Sequence, residues 1–412
     1  MGIPKKSTCK ADCNRTYACI YAPIECKDFE LNNDRPMQPN LRSPLTIRTQ
    51  SQRLFNLVQD HQSPHFTLHL DRLDAVADRV IATMQRDYPD GEIPFHSRWR
   101  HFEADQVTLL FEALEPVEKL RSQLELAIVS VLLDAGAGDR WQYLDSKGNL
   151  WRRSEGLAIA SFEMFAKGLI SGSAAVLSQL TLASLAEGLQ VRDSNPIVGL
   201  DGRWRLLVKL GDSMAARSCD RLSDYFDSFF DRQTLSATEL LAIVLEAFVD
   251  IWVGRLTIDG LNLGDTWRHS ALRDSPYVPF HKLSQWLTYS LMEPFQTFGI
   301  EITDLNALTG LAEYRNGGLF LDLGVLELRN ESALGILHPP ESALIVEWRA
   351  LTIVLLDQLA VKIRSKLGVS ADTLPLVKIL QGGTWTAGRE IARELRIAGG
   401  PPLRVQSDGT VF

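Results

Sequence analysis

The sequence predicts a mainly α-helical protein, a compact multi-helix body with few short strands. Three observations carry this expectation. Apolar residues recur at the 3.6-residue period of a helix over most of the chain. Proline and glycine punctuate those segments, proline at starts and glycine at stops. Strand-like alternation is sparse, with WRLLVKLG and the terminal LRVQSDGTVF as the main candidates.

Taken in order, residues 1–43 are rich in Lys, Asn, Pro and Cys, lack a period and read as a tail. Its cysteines, Cys9, Cys13, Cys19 and Cys26, follow no zinc spacing and no histidine joins them, while Cys219 stands apart. Lys5-Lys6 is not followed by a clean apolar run, because Glu25 and Asp28 interrupt it, so no signal peptide is expected. Regular patterning begins at TIRTQSQRLFNLVQDH, an amphipathic helix. In LDRLDAVADRVIATMQRDY the apolar positions Leu73, Val76, Val80 and Met84 keep the helical period. EKLRSQLELAIVSVLLDAGAG reads as a buried helix stopped by glycines. SATELLAIVLEAFVDIWVGR opens on a capping box, Ser236 with Glu239 three residues later. PFHKLSQWLTYSLMEPF is expected to start at Pro279 and stop before Pro294, and the last long helix to run from Pro340 to Gly368. Residues 44–412 thus read as one helical domain, in one body or two tightly packed lobes.

Composition narrows the function classes. Hydrophobic content of 45% and charged content of 23% are those of a soluble globular protein. A net charge of −8 gives no global attraction to nucleic acid or anionic membrane, though a local basic pocket can still hold a small anion. The most apolar stretch, LIVEWRALTIVLLDQLAV, carries Glu347, Arg349 and Asp357 and reads as a buried helix rather than a membrane span. The expected setting is cytoplasmic, as a monomer or homodimer, with a small molecule as partner and neither nucleic acid nor membrane.

No GxGxxG, Walker A, HExxH, paired CxxC or GxSxG is present, which removes the usual nucleotide, zinc and serine-hydrolase readings. Polar clusters in apolar surroundings remain. In PFHSRWRHFE, His96, Arg98 and Arg100 suit a phosphate or carboxylate, because guanidinium forks match those anions. The bland alternative there is a solvated loop, and a His96/His101/Glu103 metal site is a weaker third. GDTWRH and PFHKLSQW supply Asp265, Trp267, His281, Lys282, Gln285 and Trp286, a polar stripe amid aromatic residues and equally what an amphipathic helix shows. Glu347 and Arg349 need partners from elsewhere in the fold, because an unpaired buried charge is very costly. In LQGGTWTAGREIARELR, Gly382 and Gly383 could open a helix whose free N–H groups, with Arg389 and Trp385 close by, face an anion. The oddest passage is LTGLAEYRNGG, in which Glu313, Tyr314 and Arg315 follow an apolar run. It is either a salt-bridged turn or a catalytic carboxylate held by its neighbours.

Several of these segments, PFHSRWRHFE, NPIVGLDGR, VPFHKLSQWLTYSLMEP, LTGLAEYRNGG, VEWRALTI, GGTWTAGR and SDGTVF, closely resemble the uracil catabolism protein 4 family. The likeness runs from about residue 45 to the C-terminus and departs at Ala104-Asp105-Gln106, where that family has a glycine pair. It implies a place in a route that degrades uracil through a nucleotide and a ribosylurea-type intermediate. LAEYRNGGLFLDLGVL also resembles a segment of queuosine salvage glycosidases, F-A-D-Y-R-V-P-Q followed by L-G-x-L. Ala312, Tyr314, Arg315, Leu323, Gly324 and Leu326 match without a gap. Glu313 takes the acidic position, Glu for Asp, and Asn316-Gly317-Gly318 replaces V-P-Q. This second likeness implies hydrolysis of a base–ribose bond on an all-helical scaffold similar to DNA glycosylases.

The chemistry expected from these likenesses is an N-glycosidase that splits ribosylurea or its 5′-phosphate. A carboxylate beside an oxocarbenium-like transition state stabilises it and orients water, with no metal or organic cofactor. Glu313 is the candidate acid, with Tyr314 and Arg315 positioning it and Asp322 the nearest second carboxylate. An amidohydrolase acting on the ureido group and a non-catalytic binding protein of the same route are the alternatives.

Overall fold

The computed structural model describes residues 40–252, 255–397, 399–407 and 409–410. The four N-terminal cysteines lie outside the described residues. Fourteen α-helices dominate the described residues, and the strands form six two-stranded pairs of two or three residues each. The fold is mainly α, as the periodicity indicates.

The helix Pro44–Gln59 starts on Ser43, whose side chain accepts from Leu45 N, and buries Ile47, Leu54, Phe55 and Val58. In the next helix, Leu73–Asp87, the four periodic residues Leu73, Val76, Val80 and Met84 are all buried. The deepest layer is built by Pro116–Leu132, Lys282–Phe298 and the 25-residue Ala343–Leu367. Pro44–Gln59 packs along Ala343–Leu367, and Pro116–Leu132 along Lys282–Phe298. One apolar core runs from Phe55 through Leu291 and Leu355 to Leu403. Short strands tie distant segments together. Phe66–Leu68 pairs antiparallel with Leu326–Leu328, and Leu337–His338 lies parallel to Arg404–Val405. No helix among the described residues is long and apolar enough to cross a membrane.

Four elements differ from the sequence-based expectation. WRLLVKLG lies within a helix, Leu200–Ala216, because Arg203, Leu206, Leu207, Leu210 and Met214 are buried at helical spacing. The helix from Lys282 does not stop at Pro294 but continues to Phe298. Proline there removes the hydrogen bond to the carbonyl four residues back. That carbonyl, Ser290 O, instead accepts from Trp99 Nε1 at 2.7 Å. Ser236 does cap its helix, but Glu239 pairs with Arg232 at 2.7 Å rather than returning to the cap. Gly382 and Gly383 do not open a helix. They lie in a π-helical turn, Leu380–Thr384, that joins Leu376–Ile379 to Trp385–Leu395.

Candidate functional site

Glu313 is set in place by the buried helix Lys282–Phe298. Gln285 Oε1 accepts from Thr309 N at 2.9 Å, and Tyr289 Oη donates to Thr309 O at 2.8 Å. The chain then passes close to Leu356 at Gly310, where a Cβ would lie 2.5 Å from that side chain. Arg349 Nε donates to Ala312 O at 3.2 Å. Glu313 itself is extended and begins the helix Tyr314–Asp322. Its two carboxylate oxygens accept from Arg315 N and Asn316 N, each at 2.6 Å. A carboxylate is well placed there, because the first amides of a helix lack partners and carry the positive end of its dipole. The charged triplet is therefore no salt-bridged turn. Arg315 turns away and donates from Nη1 to Gly399 O at 2.8 Å.

Burial raises the Glu313 carboxyl above its ordinary value, while the two amides and the nearby Lys282 charge act against that rise. Lys282 shares this enclosure. Burial lowers its ammonium, and the charges of Glu313, Asp134 and Asp265 oppose that. Its Nζ lies 5.7 Å from the Trp286 ring centre and has no hydrogen-bond acceptor among the described residues. Beneath it, Asp265 takes a bidentate bond from Arg349, both contacts at 2.7 Å, and further bonds from Trp267 Nε1 at 2.7 Å and Lys282 N at 3.0 Å. Burial pushes the Asp265 carboxyl up, but the Arg349 charge and these donors hold it well below the usual carboxylate range.

An aromatic wall faces this polar floor. His101 lies between Trp286 and Trp385, with ring centres 6.0 and 5.9 Å away, and His96 lies 6.4 and 6.1 Å from the same two rings. Burial lowers His96 to about 4 and, together with the Arg98 charge, lowers His101 well below its ordinary value. Both imidazoles are therefore neutral near pH 7. Four buried polar atoms along this wall and floor lack partners: Trp286 Nε1, His101 Nδ1, Arg315 Nε and Asn316 Oδ1. Buried polar atoms are nearly always hydrogen-bonded, so these four are free to engage water or a polar ligand. A cavity of about 20 Å³ touches Asp265, Lys282, Arg255 and Thr410, room for about one water. A larger cavity of about 430 Å³ lies between Pro44–Gln59 and Ala343–Leu367. Its ionic groups are already paired, Arg48 with Asp357 at 2.8 Å and Arg53 with Asp274, whereas Lys282 and the four unpartnered polar atoms lie on the Glu313 side of the fold.

Residues 40–412 match the family described as protein of unknown function, DUF1688. Protein urg3 of Schizosaccharomyces pombe is 38% identical over 388 residues, 89% of this chain and 96% of the relative. Uracil catabolism protein 4 of Lachancea kluyveri is 36% identical over 434 residues, 90% of this chain and 98% of the relative. The chain belongs to the DUF1688 family, with uracil catabolism protein 4.

Within this DUF1688 chain, the structure brings together Glu313, Tyr314, Arg315, Asp265, Trp267, Lys282, Trp286, Arg349, His96 and Trp385. Other expected residues have separate employment. Arg98 is fully buried, with Nη1 on Asp134 at 2.9 Å and Nε on Ser130 at 2.6 Å, so its fork is already filled. Arg100 pairs with Glu293 at 2.5 Å. A Cβ at Gly382 or Gly383 would meet Ile93 or Val80 at 2.9 or 2.4 Å, so the glycines permit helix packing. Asp322 sits at the far end of the Glu313 helix, about 13 Å along it, and holds Arg396 at 2.8 and 2.6 Å. Glu103 pairs with Lys147 at 2.6 Å. His281 binds Leu41 O at 2.8 Å, and Gln285 is consumed in anchoring Thr309. Glu347 is engaged separately, bonded to Ser63 and 3.7 Å from His269.

Two contributors escaped the sequence reading. Asp134 follows an apolar run and looks like a helix end, yet its charge acts on both Lys282 and Tyr314. Arg153 adopts a left-handed backbone, φ 55°, and its charge also reaches Tyr314. A strained non-glycine residue next to an arginine-rich strand end is visible only in the fold.

Proposed function

We propose that this DUF1688 protein acts in uracil catabolism as an N-glycosidase, splitting ribosylurea or its 5′-phosphate into urea and the sugar. The pathway follows the printed name of uracil catabolism protein 4, 36% identical over 90% of this chain. One observation carries the reaction: Glu313 is buried, and both its oxygens are pinned by the first amides of a helix. Each oxygen retains a lone pair for water or for the sugar. A fixed carboxylate in a water-poor enclosure stabilises the charge that develops on the ribosyl ring.

In this reading the C1′–N bond breaks with its electron pair going to the urea nitrogen. Water adds to C1′ and gives its proton to Glu313, whose raised affinity for protons suits a general base. The leaving urea nitrogen takes a proton from Lys282 or Tyr314, and protonated Glu313 returns one to that group, which resets both for the next turnover. The sum is one water consumed, with urea and ribose released. Trp286 and Trp385 supply flat apolar walls, and the Asp265–Arg349 pair holds the Lys282 backbone.

The test is direct. Purified protein is incubated with ribosylurea and with its phosphate, and urea, sugar and ammonia are followed. Urea appearing with sugar supports the glycosidase. Ammonia with carbon dioxide moves the assignment to an amidohydrolase, and no turnover at high enzyme concentration leaves a binding role.

A further inference from the structure

Four arginines from three separate segments converge beside Glu313. Gly399 O accepts from Arg315 Nη1 at 2.8 Å and from Arg153 Nη1 at 3.4 Å, so two guanidinium groups meet at one oxygen. A Cβ at Gly399 would lie 2.8 Å from Arg393 Cγ, which roots a third arginine at the same point. Arg389, one turn before Arg393 on the helix Trp385–Leu395, stacks 5.3 Å over the Trp385 ring.

Glu313, two residues from Arg315 and within reach of its charge, is one acid that faces this group. Glu155 pairs with Arg389 at 2.5 Å, and Asp139, 86% exposed, stands 3.6 Å from Arg153. Arg393 has no ion-pair or hydrogen-bond partner among the described residues, and Arg315 Nε is buried without one. The Arg389 charge, then burial, then Arg315 and Arg153 all lower the Arg393 guanidinium. A solvated basic face would splay its side chains apart. Here the fold holds two of these charges on one backbone carbonyl, sets Arg393 against the same glycine and Arg389 one turn away, close to Glu313.

We infer that Arg153, Arg315, Arg389 and Arg393 bind the phosphate group of a sugar phosphate. Planar guanidinium forks match phosphate oxygens, and a dianion relieves their mutual repulsion. The assignment of this phosphate to the substrate rests on the glycosidase reading; the anion affinity itself does not.

Calorimetric titration of the full chain with ribose 5-phosphate, ribose and inorganic phosphate tests the inference. Ribose 5-phosphate is expected to bind at least about tenfold more tightly than ribose, with an affinity that falls as salt rises. Arg393→Glu, at an exposed position, is expected to weaken that binding by about tenfold or more while leaving thermal unfolding unchanged. Inorganic phosphate binding as tightly as ribose 5-phosphate keeps the anion site and assigns it to free phosphate. Equal affinity for ribose and ribose 5-phosphate overturns the site, as does an Arg393→Glu protein that binds ribose 5-phosphate normally. Hydrolysis of ribosylurea without preference for its phosphate would leave the glycosidase standing and overturn the assignment of the anion site to its substrate. Salt-sensitive ribose 5-phosphate binding without hydrolysis would do the reverse.

Discussion

Asp265 and Arg349 join a loop to the longest buried helix through two parallel bonds of 2.7 Å. Arg349 is only 2% exposed, so loss of either partner strands a charge. Arg349→Met is expected to lower stability by roughly 3 kcal/mol, read as a reduced urea midpoint. Asp265→Leu combined with Arg349→Met should lose less than the two single changes added together. Additive losses would show that the pair is not energetically coupled.

Glu313→Gln separates the helix cap from the chemistry. Glutamine keeps one acceptor oxygen but sets an amide NH₂ against a backbone N–H, which costs about 1–2 kcal/mol as a lost cap. If the carboxylate stabilises the transition state, kcat for ribosylurea should fall by about 10²-fold or more, beyond any effect of that small stability change. A variant that loses stability but keeps its kcat would make Glu313 a cap and nothing else.

Glu347 predicts a pH dependence of stability. It is raised by burial from an ordinary 4.5 to about 7, against the Ser63 hydrogen bond and the Arg329 charge. The folded protein therefore holds this proton more tightly than the unfolded chain. Its contribution is fully present below pH 4.5 and is lost as pH rises through 7, by roughly 3 kcal/mol at most. Unfolding midpoints at pH 5 and 8 should differ in the native protein and differ less in Glu347→Gln. His269 beside it, lowered by burial, works in the opposite sense on the acid side of its ordinary 6.5. An unchanged slope in the variant would count against the raised carboxyl.

Trp99→Phe removes the donor that serves Ser290 O, the carbonyl freed by Pro294. Leaving that acceptor buried without a partner should cost about 1–3 kcal/mol. Adding Pro294→Ala restores a backbone N–H within the helix and should recover part of the loss. No recovery in the double variant would refute this exchange of partners.

The elements most legible in the sequence are those whose side-chain period survives intact. Leu73, Val76, Val80 and Met84 are all buried because one helix face meets one core. WRLLVKLG is too short a window, since the helical repeat of its buried residues shows only when extended to Met214. The stop expected at Pro294 is absent, and the Trp99 indole, 191 residues before Ser290 along the chain, supplies the bond that the Ser290 carbonyl loses. Glu313 could be singled out from its odd neighbours, but its role as a double amide acceptor depends on backbone geometry. The arginine group was legible only in part. Arg389 and Arg315 stood in conspicuous motifs, whereas Arg153 meets Gly399 across a separation of 246 residues.

The Gly399 carbonyl carries a consequence for how the protein is made. Arg315 and Arg153 leave the ribosome long before the residue that holds them, and Thr410, which accepts a bond from Arg255 at 2.7 Å, emerges later still. A nascent chain can therefore fold its central helices early yet cannot complete the surroundings of Glu313 and Arg315 until its last described residues are released. Chain truncation or a stalled ribosome would yield a well-packed body in which Arg153, Arg255 and Arg315 lack these late acceptors.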